Sequence, residues 1–138
     1  MSKELKKDTV VFVTPDMMVK EMSGNFIIGI EEDNKLPRIR LSNGLYNYFN
    51  EERNGLVSRE CFKEAEYFMD TKNGRYAIVK RLNGSWNILK NNGDFVSKGE
   101  DFMYIYYDYI NEIFIVKKKN EKYNLLRIDG NFASKNED

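Results

Sequence analysis

Short runs of β-branched and aromatic residues alternate with clusters of Asn, Gly, Asp and Ser along most of this chain. Tyr76–Leu82 is one such run, too short for a helix, and Asn83-Gly84 follows it at once. An Asn-Gly pair supplies the two positive-φ positions of a type I′ hairpin turn, so the chain is expected to reverse there. Ser85–Leu89 then returns as the partner strand. Side chains alternate along a strand, which puts Trp86 and Ile88 on one face and Asn87 and Leu89 on the other. Asn91-Asn92-Gly93-Asp94 forms a second turn cluster, and Phe95–Ser97 begins a short third strand.

Further runs read the same way. Thr9–Val13 is a strand ended by Thr14-Pro15-Asp16, and Phe26–Ile30 is another, followed by the polar stretch Glu31–Lys35. Phe102–Ile110 reads as a strand or a strand plus a bend. Cys61–Met69 holds Ala and Glu and is open between a strand and a short helical turn. Eight to ten short strands separated by turn signals predict an all-β protein.

The turns recur because the sequence repeats. Ile78–Ser97 (IVKRLNGSWNILKNNGDFVS) and Ile115–Ser134 (IVKKKNEKYNLLRIDGNFAS) align without a gap at an offset of 37, with nine of twenty positions identical. Unrelated segments would share roughly one or two. A third copy lies upstream, where Asn43-Gly44-Leu45-Tyr46-Asn47 matches Asn83-Gly84-Ser85-Trp86-Asn87 at an offset of 40. After a small indel, Gly55-Leu56-Val57-Ser58 meets the Gly93–Ser97 stretch. Val19–Phe26 carries a fainter echo. The expected organisation is one domain: an N-terminal β segment over residues 1–36, readable as a degenerate repeat, then tandem hairpin units of about 37–40 residues at 37–75, 76–112 and 113–138. A unit of two or three strands cannot bury its own apolar face, whereas stacked copies share a continuous core. The aromatic after the first turn (Tyr46, Trp86 or Tyr123) is therefore expected to point inward in every copy.

The unit resembles the WG-repeat family, bacterial and bacteriophage proteins made of tandem β-rich units. Tyr76–Lys80 and Phe114–Lys117 carry the likeness, with Asn83–Asn87 and Asn120–Asn124 after them and Gly93 and Gly130 each followed by an aromatic and Ser-bearing stretch. Cys61-Phe62 and Asp101-Phe102 stand where members commonly have an acidic-aromatic pair. The likeness covers residues 37–134, and it departs from the pattern where Tyr replaces Trp in two of three copies. The resemblance implies a β-repeat scaffold with protein contacts, and it implies no catalytic residues and no cofactor.

Composition narrows the function classes. The 138 residues are 41% hydrophobic and include nine Tyr and nine Phe, enough for a folded, strand-rich chain. Lys and Arg together number 22, as do Asp and Glu. That balance argues against duplex nucleic acid, whose binders usually carry a basic excess. No apolar run approaches the roughly 20 residues that span a bilayer, and Met1–Lys7 lacks the apolar stretch of a signal peptide. Cys61 is alone, so no internal disulfide forms. A reducing, cytoplasmic setting is expected.

Catalytic chemistry is thin. The chain has no His, which removes the usual general base and most zinc-site designs. Cys61 has no His to activate it and reads as a buried structural thiol. Glu31-Glu32-Asp33 and Glu51-Glu52 read as solvated turn charges, and neither phosphate loops nor metal-spaced clusters occur. The binding candidates are Tyr104 and Tyr106, on one face of Phe102–Ile110 with Ile105 and Tyr107 on the other. Edge packing is the plainer role for them. Lys117 and Lys119 end the run Lys117-Lys118-Lys119, which would suit a phosphate or acidic partner, or would guard a strand edge. These features point to a non-enzymatic scaffold for protein–protein interaction. A carbohydrate- or single-strand-binding module, with tyrosines stacking on sugars or bases, is the alternative.

Overall fold

In a computed structural model of the chain, one loop design recurs five times and sets the hairpins. The structure describes residues 27–31, 36–41, 43–50, 52 and 55–133. The loops start at Leu41, Arg81, Lys90, Lys118 and Arg127. In each, the first N–H donates to the fifth carbonyl (2.7–2.9 Å) and the fourth N–H donates back to the first carbonyl (2.7–3.0 Å). An Asn or Asp at the third position accepts from the fifth N–H at 2.8–2.9 Å. The fourth residue is left-handed: Gly44, Gly84, Gly93 and Gly130 lie at φ 88–96°, and Glu121 at 71°.

This corrects the type I′ expectation. Asn83 does not take a positive φ. The loop is a type I turn closed by a left-handed bulge residue, the three-residue hairpin form. Asn contributes its carboxamide as an acceptor, and only the residue after it needs glycine's freedom.

Eleven strands and no helix occupy the described residues, so the protein is all-β. β1 (Ile27–Glu31), β2 (Arg38–Leu41), β3 (Tyr46–Asn50) and β4 (Gly55–Leu56) form a first antiparallel sheet in that order. In the second, the long β7 (Gly74–Lys80) pairs on one edge with β5 (Glu64–Ala65) and β6 (Met69–Thr71) and on the other with β8 (Trp86–Lys90). β9 (Tyr104–Asp108), β10 (Ile113–Lys117) and β11 (Tyr123–Leu126) form the third, with β10 central. Cys61–Met69 thus resolves as extended chain rather than a helical turn. Thr9–Val13 and the Val19–Ser23 start of the faint echo lie outside the described residues, as does Phe26.

The three sheets are one sheet repeated. β2–β3, β7–β8 and β10–β11 are the same hairpin. In each case a return segment pairs with the second strand, through Phe49–Leu56, Leu89–Phe95 and Leu126–Phe132. The Phe leading into the next sheet exchanges backbone hydrogen bonds with the aromatic after the turn: Phe62 with Tyr46 at 2.8 Å both ways, Phe102 with Trp86 at 2.8 and 2.9 Å.

Each sheet has a front and a back. Tyr46 and Tyr48 on the front of sheet one pack with Ala65, Ala77, Val79 and Leu89 on the back of sheet two. Tyr76, Ile78, Trp86 and Ile88 on the front of sheet two pack with Ile105, Tyr107, Phe114, Val116 and Leu126 on the back of sheet three. Alternation along β7 therefore feeds two cores from one strand.

The back also holds a buried amide. Asn47 and Asn87 are sealed from solvent, and each accepts from the next residue's N–H at 2.7 Å through its own side-chain oxygen. Asn47 Nδ2 donates to the carbonyls of Ser58 (3.0 Å) and Glu60 (3.2 Å), and Asn87 Nδ2 to those of Ser97 (2.9 Å) and Glu100 (3.2 Å). Asn124 repeats the contact to its neighbour, Leu125 N–H, at 2.7 Å. The Asn47 and Asn87 amides tie their hairpins to the return loops, where an unpaired polar group would be costly.

The aromatic before each Asn departs from the expected inward position. Tyr46 and Trp86 are half-buried at the edge of a core, and Tyr123 is exposed. Depth at this position is set by whether another sheet covers the front.

Candidate functional site

Sheet three presents a front face that no described sheet covers. Tyr104 and Tyr106 on β9, Ile113, Ile115 and Lys117 on β10, and Tyr123 and Leu125 on β11 point to this side, while Ile105, Tyr107, Phe114, Val116 and Leu126 point into the core. Cross-strand register arranges them in rows. Tyr104, Lys117 and Tyr123 form one row, and Tyr106, Ile115 and Leu125 the next. Asp108 beside Ile113 ends the face.

At the corresponding positions of sheet two, Ile78 and Ile88 are buried under sheet three and Trp86 is half-buried beside them. Here the same surface meets solvent: Tyr104 is 49% exposed, Tyr106 52%, Tyr123 55% and Leu125 40%. Seven of the nine large exposed hydrophobic residues among those described fall between Met103 and Leu125, so the exposure is concentrated on this unit rather than scattered. At roughly 200 Å² per tyrosine, the three half-exposed rings alone give on the order of 300 Å² of accessible surface, in the range of the largest patch on an ordinary monomer, which is often functional.

Lys117 sits in the middle of the Tyr row with its ammonium 5.8 Å from the Tyr123 ring centroid. Lys80 holds the same relation to Trp86 at 5.8 Å, and it also pairs with Glu64 across the strands at 3.5 Å. Tyr104 stands opposite Lys117 where Glu64 stands opposite Lys80. Lys117 therefore lacks the cross-strand carboxylate of its counterpart.

The structure brings Tyr104, Tyr106 and Lys117 together and leaves Lys119 apart. Lys119 lies in the turn before β11 and lines a shallow polar depression of about 350 Å³ with Arg81, Lys98, Gly99, Glu100 and Asp101. Ion pairs run along the wall of that depression. Arg81 donates to Glu60 at 2.8 and 2.9 Å and to Asp101 at 3.1 Å, and Lys118 lies 3.6 Å from Glu100. Arg81 and Lys118 also cover Phe95 and Phe132, at 4.7 and 4.4 Å from the ring centroids. The same clamp joins each unit to the one before it.

Burial works against the charge on Asp101, but hydrogen bonds from Asn87, Asn83 and Arg81 outweigh it and hold the carboxyl below the usual aspartate range. Cys61 occupies the matching place in the preceding unit and receives the Asn47 amide at 3.6 Å. Burial pushes its thiol up, against the Asn47 hydrogen bond, so it is not activated as a nucleophile. It is half-buried rather than buried.

No cluster of three metal-ligating side chains occurs among the described residues. Glu52 is exposed, and Glu32, Asp33 and Glu51 lie outside the described residues. No helix among the described residues is long and apolar enough to cross a membrane.

Sequence reading missed Tyr123, Leu125 and the two β10 isoleucines as surface residues. Their alternation was visible, but a repeat motif looks the same whether or not a sheet lies on it. No family model matches the chain, and no similar curated protein or solved structure was found.

Proposed function

We propose that the chain is a non-enzymatic β-repeat scaffold that binds a protein partner on the front face of its third sheet. The observation that carries this reading is the pair of rows Tyr104–Lys117–Tyr123 and Tyr106–Ile115–Leu125, whose Tyr104, Tyr106, Tyr123 and Leu125 are exposed, whereas Ile78, Trp86 and Ile88, which match Ile115, Tyr123 and Leu125 in sheet two, pack against sheet three. Tyrosine offers large contact area at low entropic cost and anchors many interfaces. Two of the three positions in the second row are aliphatic, which suits packed side chains better than a sugar or base needing polar partners. The WG-repeat likeness belongs to this reading, as does a cytoplasmic setting in which Cys61 stays a thiol.

Comparing the wild-type chain with a Tyr106→Arg/Leu125→Arg variant, by cross-linking and mass spectrometry in an extract, tests it. Protein cross-links mapping to residues 104–125 in the wild type, and lost in the variant, are expected. Tyr104- and Tyr106-dependent binding to immobilised glycans or oligonucleotides, with no protein cross-link on this face, would overturn it in favour of the stacking alternative.

A further inference from the structure

We infer that the occupant of this face is the same face of a second copy of the chain, joined by a two-fold axis that lies between the sheets and runs across β10. The inference rests on the reading of the face as a protein-docking surface and names the partner.

Within one chain, this front surface has met a β-sheet twice: sheet one against sheet two and sheet two against sheet three. The surface is therefore one that packs face to face with a sheet, at the usual separation of about 10 Å. A second copy could supply a sheet by its back or by its front. The back of sheet one is closed, with Ile39 and Leu41 fully buried and Phe49 4% exposed. Head-to-tail stacking of copies thus finds no open acceptor there. The front of sheet three remains, and a surface that meets itself does so about a two-fold axis, giving a closed dimer.

Charge selects between the two ways of doing this. Lys117 stands at one end of the face and Asp108, paired with Ile113, at the other. An axis along the strands would set lysine against lysine. An axis across them lays Lys117 of one copy over Ile113 of the other, beside Asp108 on the neighbouring strand, twice, and so brings a carboxylate within reach of each lysine as Glu64 is of Lys80 inside the chain. A formal net charge of zero leaves no long-range repulsion between copies. Tyr109 and Ile110, exposed in the adjoining loop, extend the contact. A three-strand face is small for a protein interface, so the dimer is weak, with a Kd on the order of micromolar to tens of micromolar.

Sedimentation velocity of the full chain over a concentration series up to about 0.5 mM reads this directly. A monomer–dimer equilibrium is expected, and Leu125→Arg should raise its Kd at least tenfold. Lys117→Glu and Asp108→Lys should each weaken self-association, and mixing the two should restore a heterodimer, because every contact is then opposite in sign. Asp108 accepts hydrogen bonds from Ile110 and Asn111 N–H in the following turn, so circular dichroism must show that its variant folds; Lys117→Glu and Leu125→Arg carry the test if it does not. A monomer at every concentration, or a dimer unaffected by Leu125→Arg and Lys117→Glu, would overturn the inference. If cross-links to another protein still depend on Tyr106 and Leu125 in that case, the docking face stands and only the partner is wrong. If they do not, both readings fall.

Discussion

Gly93 lies against the carbonyl oxygen of Val57, so close that a Cβ at residue 93 would stand 2.4 Å from it. One unit later Gly130 holds the same relation to Val96, at 2.7 Å. These glycines are the points where the backbone of one unit touches the backbone of the unit before. Gly84 is equally left-handed, yet a Cβ there meets nothing within 4 Å. Gly84→Ala should therefore cost about 1–2 kcal/mol, the penalty of a left-handed L-residue alone. Gly93→Ala should cost at least about 3 kcal/mol, because the clash is with backbone that cannot rotate away. Urea unfolding of the two variants checks the difference; equal losses would mean the units do not touch there.

Glu121 is the one non-glycine at the bulge position of the five loops, at φ 71°. Replacing it with Gly should stabilise the chain by about 1 kcal/mol, the left-handed penalty less the entropy that Gly costs in the unfolded chain. A rise in the urea midpoint at unchanged slope is the expected result.

Much of this architecture was legible in the sequence. The repeated Asn-Gly and Asp-Gly pairs located the hairpins, and alternation through Tyr104–Tyr107 separated two faces without saying which one is core. The loop type was not legible, because Asn-Gly suits both a type I′ turn and the bulged loop observed, and hydrogen bonds at Asn83 decide between them. The inward placement of Tyr123 failed for a different reason. It and Trp86 occupy one motif position, and only the presence of a covering sheet separates their environments. The Asn after that aromatic looked like a polar strand residue, yet at residues 47 and 87 it is the buried tie of its unit. Its partners, ten and thirteen residues ahead at Ser97 and Glu100, are set by the fold of the return loop.

That tie gives a third prediction. Asn87→Leu leaves the Ser97 carbonyl and the Ile88 N–H without the partners they have now. A loss of about 2–4 kcal/mol is expected from the stranded buried groups. Thermal unfolding measures it; an unchanged or raised midpoint would show that the amide is dispensable.

Acid should loosen the Asp101 arm of the Arg81 clamp. Burial pushes the Asp101 carboxyl up, but Asn87, Asn83 and Arg81 pull it below its ordinary value of 3.8. A group whose folded pKa is depressed stabilises the fold above its unfolded pKa, and that contribution disappears as pH falls through the folded value. Asp101→Asn should therefore cost about 1–2 kcal/mol at pH 7, and the cost should shrink as pH falls below the ordinary aspartate range. Glu66 acts in the opposite sense, since burial and then Glu64 raise its carboxyl. The comparison must for that reason be between wild type and variant at each pH, by denaturant unfolding, rather than along one curve.

Three stacked sheets with an uncovered third front imply a definite order of tyrosine reactivity. Tyr104, Tyr106 and Tyr123 stand half open to solvent, whereas Tyr48, Tyr76 and Tyr107 are buried in the two cores. Tyrosine nitration of the folded chain in dilute solution, read residue by residue by mass spectrometry, tests this most directly. The account predicts rapid modification at 104, 106 and 123 and protection at 48, 76 and 107. Protection of the first three in dilute solution, equal to that of Tyr48, would contradict it.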